Sequence, residues 1–249
     1  VSKWDTSSVQ NFRSMFGGCS GLTALDVSNW DVSNATNMSF MFCGCRELQH
    51  LDIGGWDVRK VTTFERFLSS DDMKIPMKLQ SIDLSAWQTD SLENASWMFQ
   101  ACGNMTYANL HGWNLSQATN MAAMFEFCKN LKNVDVGGWT LGNDISELGV
   151  VFRNCQVLET VDLSSWSTAS ATSMKCMFEN CYKLKTVYVG DGWTTENVVD
   201  STNMFKKCPS IVGENGTTFD PHLFDMTYAH VDGGEENPGY FTYKGSANP

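Results

Sequence analysis

Five aspartates stand at equivalent places in a repeated apolar pattern, where they could bind a cation. Calcium prefers carboxylate oxygens, whereas zinc prefers thiolates and imidazoles. If the copies form adjacent strands, the carboxylates lie about 4.8 Å apart, and like charges at that distance are unfavourable. We expect hydrogen bonds from serine, threonine or backbone groups to offset the repulsion; a bound calcium ion is the alternative, although no loop has EF-hand spacing. The five are Asp26, Asp52, Asp83, Asp135 and Asp162.

The aspartate series is interrupted in two copies, and the interruptions predict a recognition surface. Asn109 and Tyr188 replace aspartate, and Tyr107 and His111 flank Asn109 where another copy has serine. Varied side chains on a regular framework are typical of a binding surface on a solenoid; drift on a tolerant surface is the alternative. The candidate binding face therefore comprises His50, Asp52, Asp83, Tyr107, Asn109, His111, Asp135, Asp162 and Tyr188.

One copy carries five extra residues, and this insertion could supply further contacts. The segment FERFLSSDDMKIPMKLQ, residues 64–80, has Phe67 and Leu68 in place of the usual Met-Phe pair and lacks the cysteine that follows it elsewhere. Such an insertion is expected to bulge from a regular stack, where loops often contribute to binding. Insertions are also tolerated at little cost. We predict Asp71, Asp72 and Lys74 as candidate loop contacts.

Seven of the nine cysteines also occupy one place in the repeat. Disulfides require Cβ atoms that face each other about 3.8 Å apart, whereas stacked copies aim equivalent side chains in parallel. We therefore expect buried, reduced thiols. Cys43 lies two residues before Cys45, but no second pair at zinc spacing exists, so no metal site is predicted. The seven are Cys19, Cys45, Cys102, Cys128, Cys155, Cys181 and Cys208.

The sequence offers no catalytic constellation. It lacks G-x-S-x-G, H-E-x-x-H and any glycine-rich phosphate-binding loop, and it contains only four histidines. These motifs place a nucleophile, a metal or a phosphate where chemistry requires it. We therefore predict that the protein is not an enzyme.

All these residues belong to one repeated unit, which predicts a solenoid. Eight of the nine tryptophans follow at intervals of 26, 26, 31, 26, 26, 27 and 27 residues, a period typical of solenoids. Apolar residues alternate before each tryptophan, as in LTALDVSNW, and predict a short strand. After it, the apolar positions of TNMSFMFCGC follow helical spacing, and Gly44 could end a short helix. The tryptophans are Trp4, Trp30, Trp56, Trp87, Trp113, Trp139, Trp166 and Trp193.

We therefore predict an α/β fold, a leucine-rich-repeat-like solenoid of about eight 26-residue coils that share one parallel β-ladder. One coil buries about seven large side chains worth about 2 kcal/mol each. Ordering it costs on the order of 1.5 kcal/mol per residue, so coils must stack. The solenoid should span residues 1–208. Residues 209–244, rich in phenylalanine and tyrosine with DGG and NPG turns, should cap the last coil, and residues 245–249 should be a linker or the chain end.

Composition excludes several classes of partner. The 249 residues include 42% hydrophobic and 18% charged residues, and the formal net charge is -11 with a pI near 4.7. An acidic surface attracts neither nucleic-acid phosphates nor anionic lipids. No run approaches the ~20 apolar residues of a membrane span, and these residues include no charged segment followed by an apolar one as in a signal peptide. Because VSKW matches the end of a strand, we expect residue 1 to be a boundary and any export signal or anchor to lie outside these residues.

The consensus LDVSxWDVSxxTxMxxMFxGCxxL resembles the repeats of the bacterial BspA-like leucine-rich-repeat surface proteins, and related repeats occur in mycoplasma surface lipoproteins. The resemblance covers about residues 1–208, and the segment from Cys208 to Lys244 is similar to the one that closes the array in many members. It implies an extracellular array, on a bacterial cell surface or secreted, that is often regarded as adhesive. It implies no catalytic residues and identifies no ligand.

These observations lead to two functional hypotheses. The first is a non-enzymatic adhesin that binds a host or microbial extracellular protein or glycan through the candidate binding face and the loop. The second is a passive structural spacer in a larger surface protein. Oligomeric state is not predicted by either.

Overall fold

The computed structural model describes residues 1–245 and shows a β-solenoid with a repeat of about 26 residues. Single parallel bridges join one residue of each coil to its equivalent in the next coil. The bridged residues are Asn11, Asn37, Thr63, Asn94, Asn120, Glu147, Ser173 and Asp200. The predicted solenoid and its period are therefore confirmed.

Short parallel strands form three separate sheets along the stack. The strands are β1 (Ser81–Asp83), β2 (Tyr107–Asn109), β3 (Asn114–Leu115), β4 (Asn133–Asp135), β5 (Thr140–Leu141), β6 (Thr160–Leu163), β7 (Thr186–Val189) and β8 (Thr242–Tyr243). Their orders are β1-β2-β4, β3-β5 and β6-β7-β8. The prediction of a single ladder with one strand in every coil was wrong, because residues 1–80 contain no strand and no pairing joins β4 to β6.

The short helices, and with them the α/β class, are also wrong, because residues 1–245 contain no α-helix; one 3-10 turn spans Met226–Tyr228. Each coil instead has a residue with positive φ next to its Met-Phe pair, between 52° and 60°. Left-handed residues cannot continue a right-handed helix. Gly44, expected to end a helix, adopts φ 76° within these turns. The left-handed residues are Ser14, Phe40, Arg66, Trp97, Ala123, Val150, Cys176 and Asn203.

The turn segments connect neighbouring coils through alternate amides. The amides of Phe40 and Phe42 donate to the carbonyls of Glu65 and Phe67 in the next coil at 2.8 and 2.9 Å, whereas the amide of Met41 donates three residues back in its own coil. An α-helix would satisfy these amides internally. The turns leave every second amide free to bond the adjacent coil, so they contribute an intercoil ladder that the repeat needs.

Aromatic side chains stack along the core. The Trp113 and Trp139 rings lie 6.0 Å apart at 11°, and the Phe125 and Phe152 rings lie 5.6 Å apart at 1°. The Trp113 indole Nε1 donates to the carbonyl of Leu84 in the preceding coil at 3.0 Å, so this indole contributes both apolar burial and an intercoil hydrogen bond.

The cysteines form a second intercoil series. Cys128 Sγ donates to the carbonyl of Phe99, the phenylalanine of the preceding coil, at 3.2 Å, and five other thiols make the equivalent bond. All nine thiols are unpaired, and seven are buried, while Cys19 is exposed and Cys43 is half-buried. Burial raises the pKa of the Cys45 thiol to about 12. The predicted buried, reduced thiols are thus present except at Cys19.

The segment after Cys208 contacts the last coil. The Phe205 amide donates to the Phe224 carbonyl at 2.8 Å, and the Tyr240 and Phe241 rings lie 5.2 and 5.7 Å from the Phe205 ring. Strand β8 then pairs with β7 and extends the parallel ladder. Apolar rings and a strand thus cover part of the last coil, and the division into a solenoid and a capping segment stays a prediction. Residues 246–249, most of the predicted terminal linker, lie outside the described residues.

A buried carboxylate organises this C-terminal segment. Asp232, 1% exposed, accepts the amides of Asn215, Thr217 and Gly234 and the hydroxyl of Thr217 at 2.7 to 3.0 Å. Burial alone would raise its pKa, but these hydrogen bonds outweigh burial and hold the pKa well below its usual range.

Candidate binding face

Several predicted face residues are neighbours in register on the strands. Asp83 on β1 lies beside Asn109 on β2, which lies beside Asp135 on β4. Asp162 on β6 lies beside Tyr188 on β7. We call the outward side of β1, β2, β4, β6 and β7, together with residues 24–28 and 50–54, the strand face.

Local hydrogen bonds hold four of the five aspartates of the strand face, Asp26, Asp83, Asp135 and Asp162. Asp83 Oδ1 accepts the backbone amide and the hydroxyl of Ser85 at 3.0 and 2.7 Å, and Asp26 accepts the same two groups of Ser28. Hydrogen bonds from the Ser85 backbone and side chain lower the pKa of Asp83. The expected hydrogen bonds from serine and backbone groups are therefore present.

Asn109, which interrupts the aspartate series, and His111 beside it contact the neighbouring aspartates. Asn109 Nδ2 donates to Asp83 Oδ2 at 3.2 Å, and His111 Nδ1 lies 3.2 Å from Asp135 Oδ1. The asparagine adds a donor without adding charge. Tyr107, 39% exposed, is the largest side chain that β2 presents to solvent.

A lysine of the C-terminal segment binds the strand face. Lys244 follows β8 directly in the sequence. Its ammonium group contacts Asp162 Oδ2 and lies 5.6 Å from the centre of the Tyr188 ring. Burial opposes ionisation of Asp162, but the bonds from Lys244 and Ser164 outweigh it and lower the pKa of Asp162. The face thus accommodates a cation between a carboxylate and an aromatic ring.

The charge pattern coincides with strand pairing. In each of the three strand pairings that include one of these aspartates, the aspartate faces asparagine or tyrosine and never another aspartate. Directly opposed like charges destabilise a strand pair, which gives a physical reason for the coincidence. The junctions with aspartate on both sides, Asp26 with Asp52, Asp52 with Asp83, and Asp135 with Asp162, are those without strand pairing.

A cleft of about 540 Å³ opens at one unpaired junction, between residues 50–54 and β1. It brings together three sequence-predicted residues, His50, Asp52 and Asp83, and adds Ser81 and Ser85. Within the described chain, no side-chain hydrogen bond engages the Asp52 carboxylate, in contrast to the two partners of Asp83. Tyr107, His111 and Tyr188 do not line this cleft.

The insertion is exposed at residues 73–76, as expected of a bulge, and contacts on both sides tie it to the stack. Asp71 pairs with Arg46 of the preceding coil at 2.9 Å, and Asp72 Oδ1 accepts the Lys74 amide at 2.9 Å. On the other side, a Cβ at Gly103 would lie 2.7 Å from the Cβ of Pro76, so only glycine permits this approach. Asp71 and Asp72 thus have structural partners, and the loop contacts stay a prediction.

One polar series was missed by the sequence reasoning. In four consecutive coils the residue after the Met-Phe pair, or after Val151-Phe152, is polar and bonds its counterpart in the next coil: Gln100 Nε2 donates to Glu126 at 2.6 Å, and Arg153 bridges Glu126 and Glu179 at 3.3 and 2.7 Å. The side chains of Glu126 and Glu179 are only 7% and 10% exposed. Their shared spacing and alternating sign were visible in the sequence and could have revealed the series.

Within residues 1–245, no three histidine, cysteine, aspartate or glutamate side chains are grouped so that they could hold a metal ion. The same residues contain no helix of the length and apolarity that a bilayer crossing needs.

Comparison with known families gives one match. The family model described as "Mycoplasma protein of unknown function, DUF285" matches four overlapping stretches, residues 1–104, 50–139, 77–160 and 94–217. The overlaps follow from the repeat, because each stretch contains several coils. No curated protein and no solved structure shows a significant match.

Proposed function

The chain belongs to the DUF285 family of Mycoplasma proteins of unknown function, and from this premise we propose that it is a non-enzymatic binding module, an adhesin on a bacterial cell surface or in secreted form. Its ligand is an extracellular protein or glycan of a host or neighbouring cell. The cleft that gathers His50, Asp52 and Asp83 on a regular scaffold carries the proposal.

The scaffold supports recognition through side chains that it does not need for stability. Tyr107 is 39% exposed, and Asp52 and His50 are also exposed on the same face. The core is formed by other residues, so the strand face is free to vary. Exposed aromatic and polar groups on a rigid framework suit recognition of another molecule.

The extracellular location rests on the resemblance of the repeat to BspA-like surface proteins. The acidic composition supports a partner other than nucleic acid or an anionic bilayer. The predicted loop contacts Asp71, Asp72 and Lys74 would extend the interface beyond the strand face.

Binding measurements against extracellular-matrix proteins, mucins and glycan arrays test the proposal. Tyr107→Ala and Tyr188→Ala remove the two aromatic rings of the strand face. Tyr182→Ala is a matched control because Tyr182 is 40% exposed but lies outside the strands. We expect a ligand whose affinity falls in the first two variants and persists in the control.

Two results would argue against this function. Full affinity in both tyrosine variants would exclude the parts of the strand face around Tyr107 and Tyr188 as the contact surface and leave only the cleft, which neither ring lines. The passive-spacer hypothesis would be favoured if no ligand bound and if whole coils could be deleted without loss of function in the parent protein.

A further inference from the structure

We propose that the cleft between residues 50–54 and β1 binds a lysine- or arginine-bearing segment of a partner polypeptide. The cationic group sits between Asp52 and Asp83. This inference rests on the proposed function, because it specifies the chemistry of the ligand that the strand face takes.

The first argument is charge. Asp52 and Asp83 line the cleft, and Asp26 follows on the adjacent coil. No lysine or arginine of the described chain forms an ion pair with any of the three. A cation from outside therefore meets carboxylates that have no internal counter-ion, which favours both encounter and binding.

The nearby basic side chains are already engaged elsewhere. Arg59 pairs with Asp57 at 2.5 Å, Arg46 with Asp71 at 2.9 Å and Lys78 with Glu47 at 2.7 Å. In each pair, the basic side chain is bound to a carboxylate that does not line the cleft. The uncompensated charge of the cleft is thus a property of the fold and not of one flexible side chain.

The second argument is an internal precedent. In the C-terminal half, strand β8 pairs beside β7, and the lysine that follows it reaches across to Asp162 and lies against Tyr188. The chain therefore shows how an extended segment with a basic residue binds this face. The cleft presents the same kind of carboxylate without such a segment.

The third argument is the lining of the cleft. Leu51 and Ile82, 9% and 4% exposed, supply an apolar floor, while Ser81 and Ser85 supply hydroxyl groups at its wall. Lysine and arginine bury their methylene stems against apolar surface and keep the charged head on polar groups. A volume of about 540 Å³ accommodates such a side chain together with its flanking residues.

No hydrogen bond between backbone atoms joins residues 50–54 to β1 within the described chain, yet a Cβ at Gly54 would lie only 3.0 Å from the Asp83 carbonyl oxygen. The two coils therefore touch beneath the cleft, and a partner segment binds across its open side. Its affinity comes from side-chain contacts, and the carboxylates select the basic group.

Fluorescence anisotropy with labelled seven-residue peptides tests the inference. The probes are alternating glycine-lysine, glycine-arginine and glycine-glutamine peptides, titrated with the full chain at low and physiological salt. The Asp52→Asn and Asp83→Asn double variant keeps an oxygen acceptor for Ser85 but removes both charges. Asp144→Asn with Glu196→Gln is the matched control, because both residues are exposed and lie outside the strands.

We expect the basic peptides to bind the wild type and the control with equal affinity. The Asp52 and Asp83 double variant should bind these peptides at least about tenfold more weakly, which is the effect of removing one charge-assisted hydrogen bond. Equal weakening in both variants would show a general attraction to an acidic protein and overturn the inference. So would tight binding of the glutamine peptide.

The two proposals fail separately. Suppose that a matrix or glycan ligand depends on Tyr107, but that the Asp52 and Asp83 variant shows no selective loss of basic-peptide binding. The proposed cationic segment is then refuted, whereas the proposed binding function is supported. Selective peptide loss in the Asp52 and Asp83 variant supports both. No binding of any panel ligand or peptide removes both.

Discussion

Replacing Arg153 by methionine tests how the coils keep their register. The guanidinium bridges Glu126 and Glu179 at 3.3 and 2.7 Å, and Gln100 bonds the far oxygen of Glu126. Methionine keeps much of the side-chain volume but removes the charge and both bonds. Two carboxylates that are nearly shielded from water then lose their cation.

Breaking a buried ion pair from one side costs about 3 to 5 kcal/mol, because the remaining charge stays buried. Arg153 itself is 35% exposed, so water screens part of the interaction. We therefore place the loss at about 3 kcal/mol, the lower end of that range. With a urea m-value of about 3 kcal/mol per molar, the unfolding midpoint falls by about 1 M.

Urea unfolding followed by tryptophan fluorescence measures this shift, since the indoles lie in the core. Arg59→Met is the control: Arg59 pairs with Asp57, but its side chain is 63% exposed, and we expect a change within about 0.5 kcal/mol. Combining Arg153→Met with Glu126→Gln and Glu179→Gln should restore most of the lost stability. An Arg153 variant no less stable than the Arg59 control would refute the reasoning.

Three further predictions concern other parts of the molecule. A thiol reagent should modify Cys19 and Cys43 rapidly in the native protein and the remaining cysteines only on unfolding, because burial shields them; rapid reaction of all nine would contradict the stacked core. Asp232→Asn should lower stability by about 2 to 4 kcal/mol at pH 7. Because the pKa of Asp232 is lower in the folded than in the unfolded protein, the extra stability of the wild type over this variant should shrink as pH falls below about 4. Thermal unfolding of both proteins across pH measures this stability difference. A difference that does not change with pH would exclude the Asp232 charge as its cause. Asn109→Asp should destabilise the protein by about 0.5 to 1 kcal/mol, because it places three carboxylates side by side on paired strands. The unfolding midpoint of this variant should then rise with salt concentration. A midpoint independent of salt would mean that charge repulsion does not explain why opposed aspartates lie only at unpaired junctions.

The period of the fold was predictable because equivalent residues perform equivalent work in every coil. Trp113 stacks on its counterpart, and both Trp113 and Cys128 donate a hydrogen bond to the preceding coil, so their spacing directly reports the coil length. The parallel arrangement of the strands followed from the same spacing. These features depend on residue types that recur in nearly every coil.

The turns were not predictable from the same pattern. Met38, Met41 and Phe42 are spaced as on a helix, yet chained turns with a left-handed residue place the same side chains inward. The occupants of that left-handed position include Phe40 and Trp97, which carry no turn signature. Competition between internal and intercoil hydrogen bonds decides the outcome, and that competition exists only once coils stack.

The candidate face was predictable in outline but not in its irregularity. Alternation identified Asp52 and Asp83 as outward residues, but the loss of pairing between their coils, and the cleft that accompanies it, depends on relations between coils. The contact of Lys244 with Asp162 joins residues 82 positions apart, which no local pattern connects.

The most direct test of the fold is a measurement of scalar couplings across hydrogen bonds in the deuterated protein. The account predicts couplings between the amide nitrogens of Ala123, Phe125 and Phe127 and the carbonyl carbons of Gly149, Val151 and Arg153, whose nitrogen-oxygen distances are 3.1, 2.9 and 2.9 Å. Couplings from these amides to carbonyls four residues earlier in the same coil would mean a helix and would contradict the account.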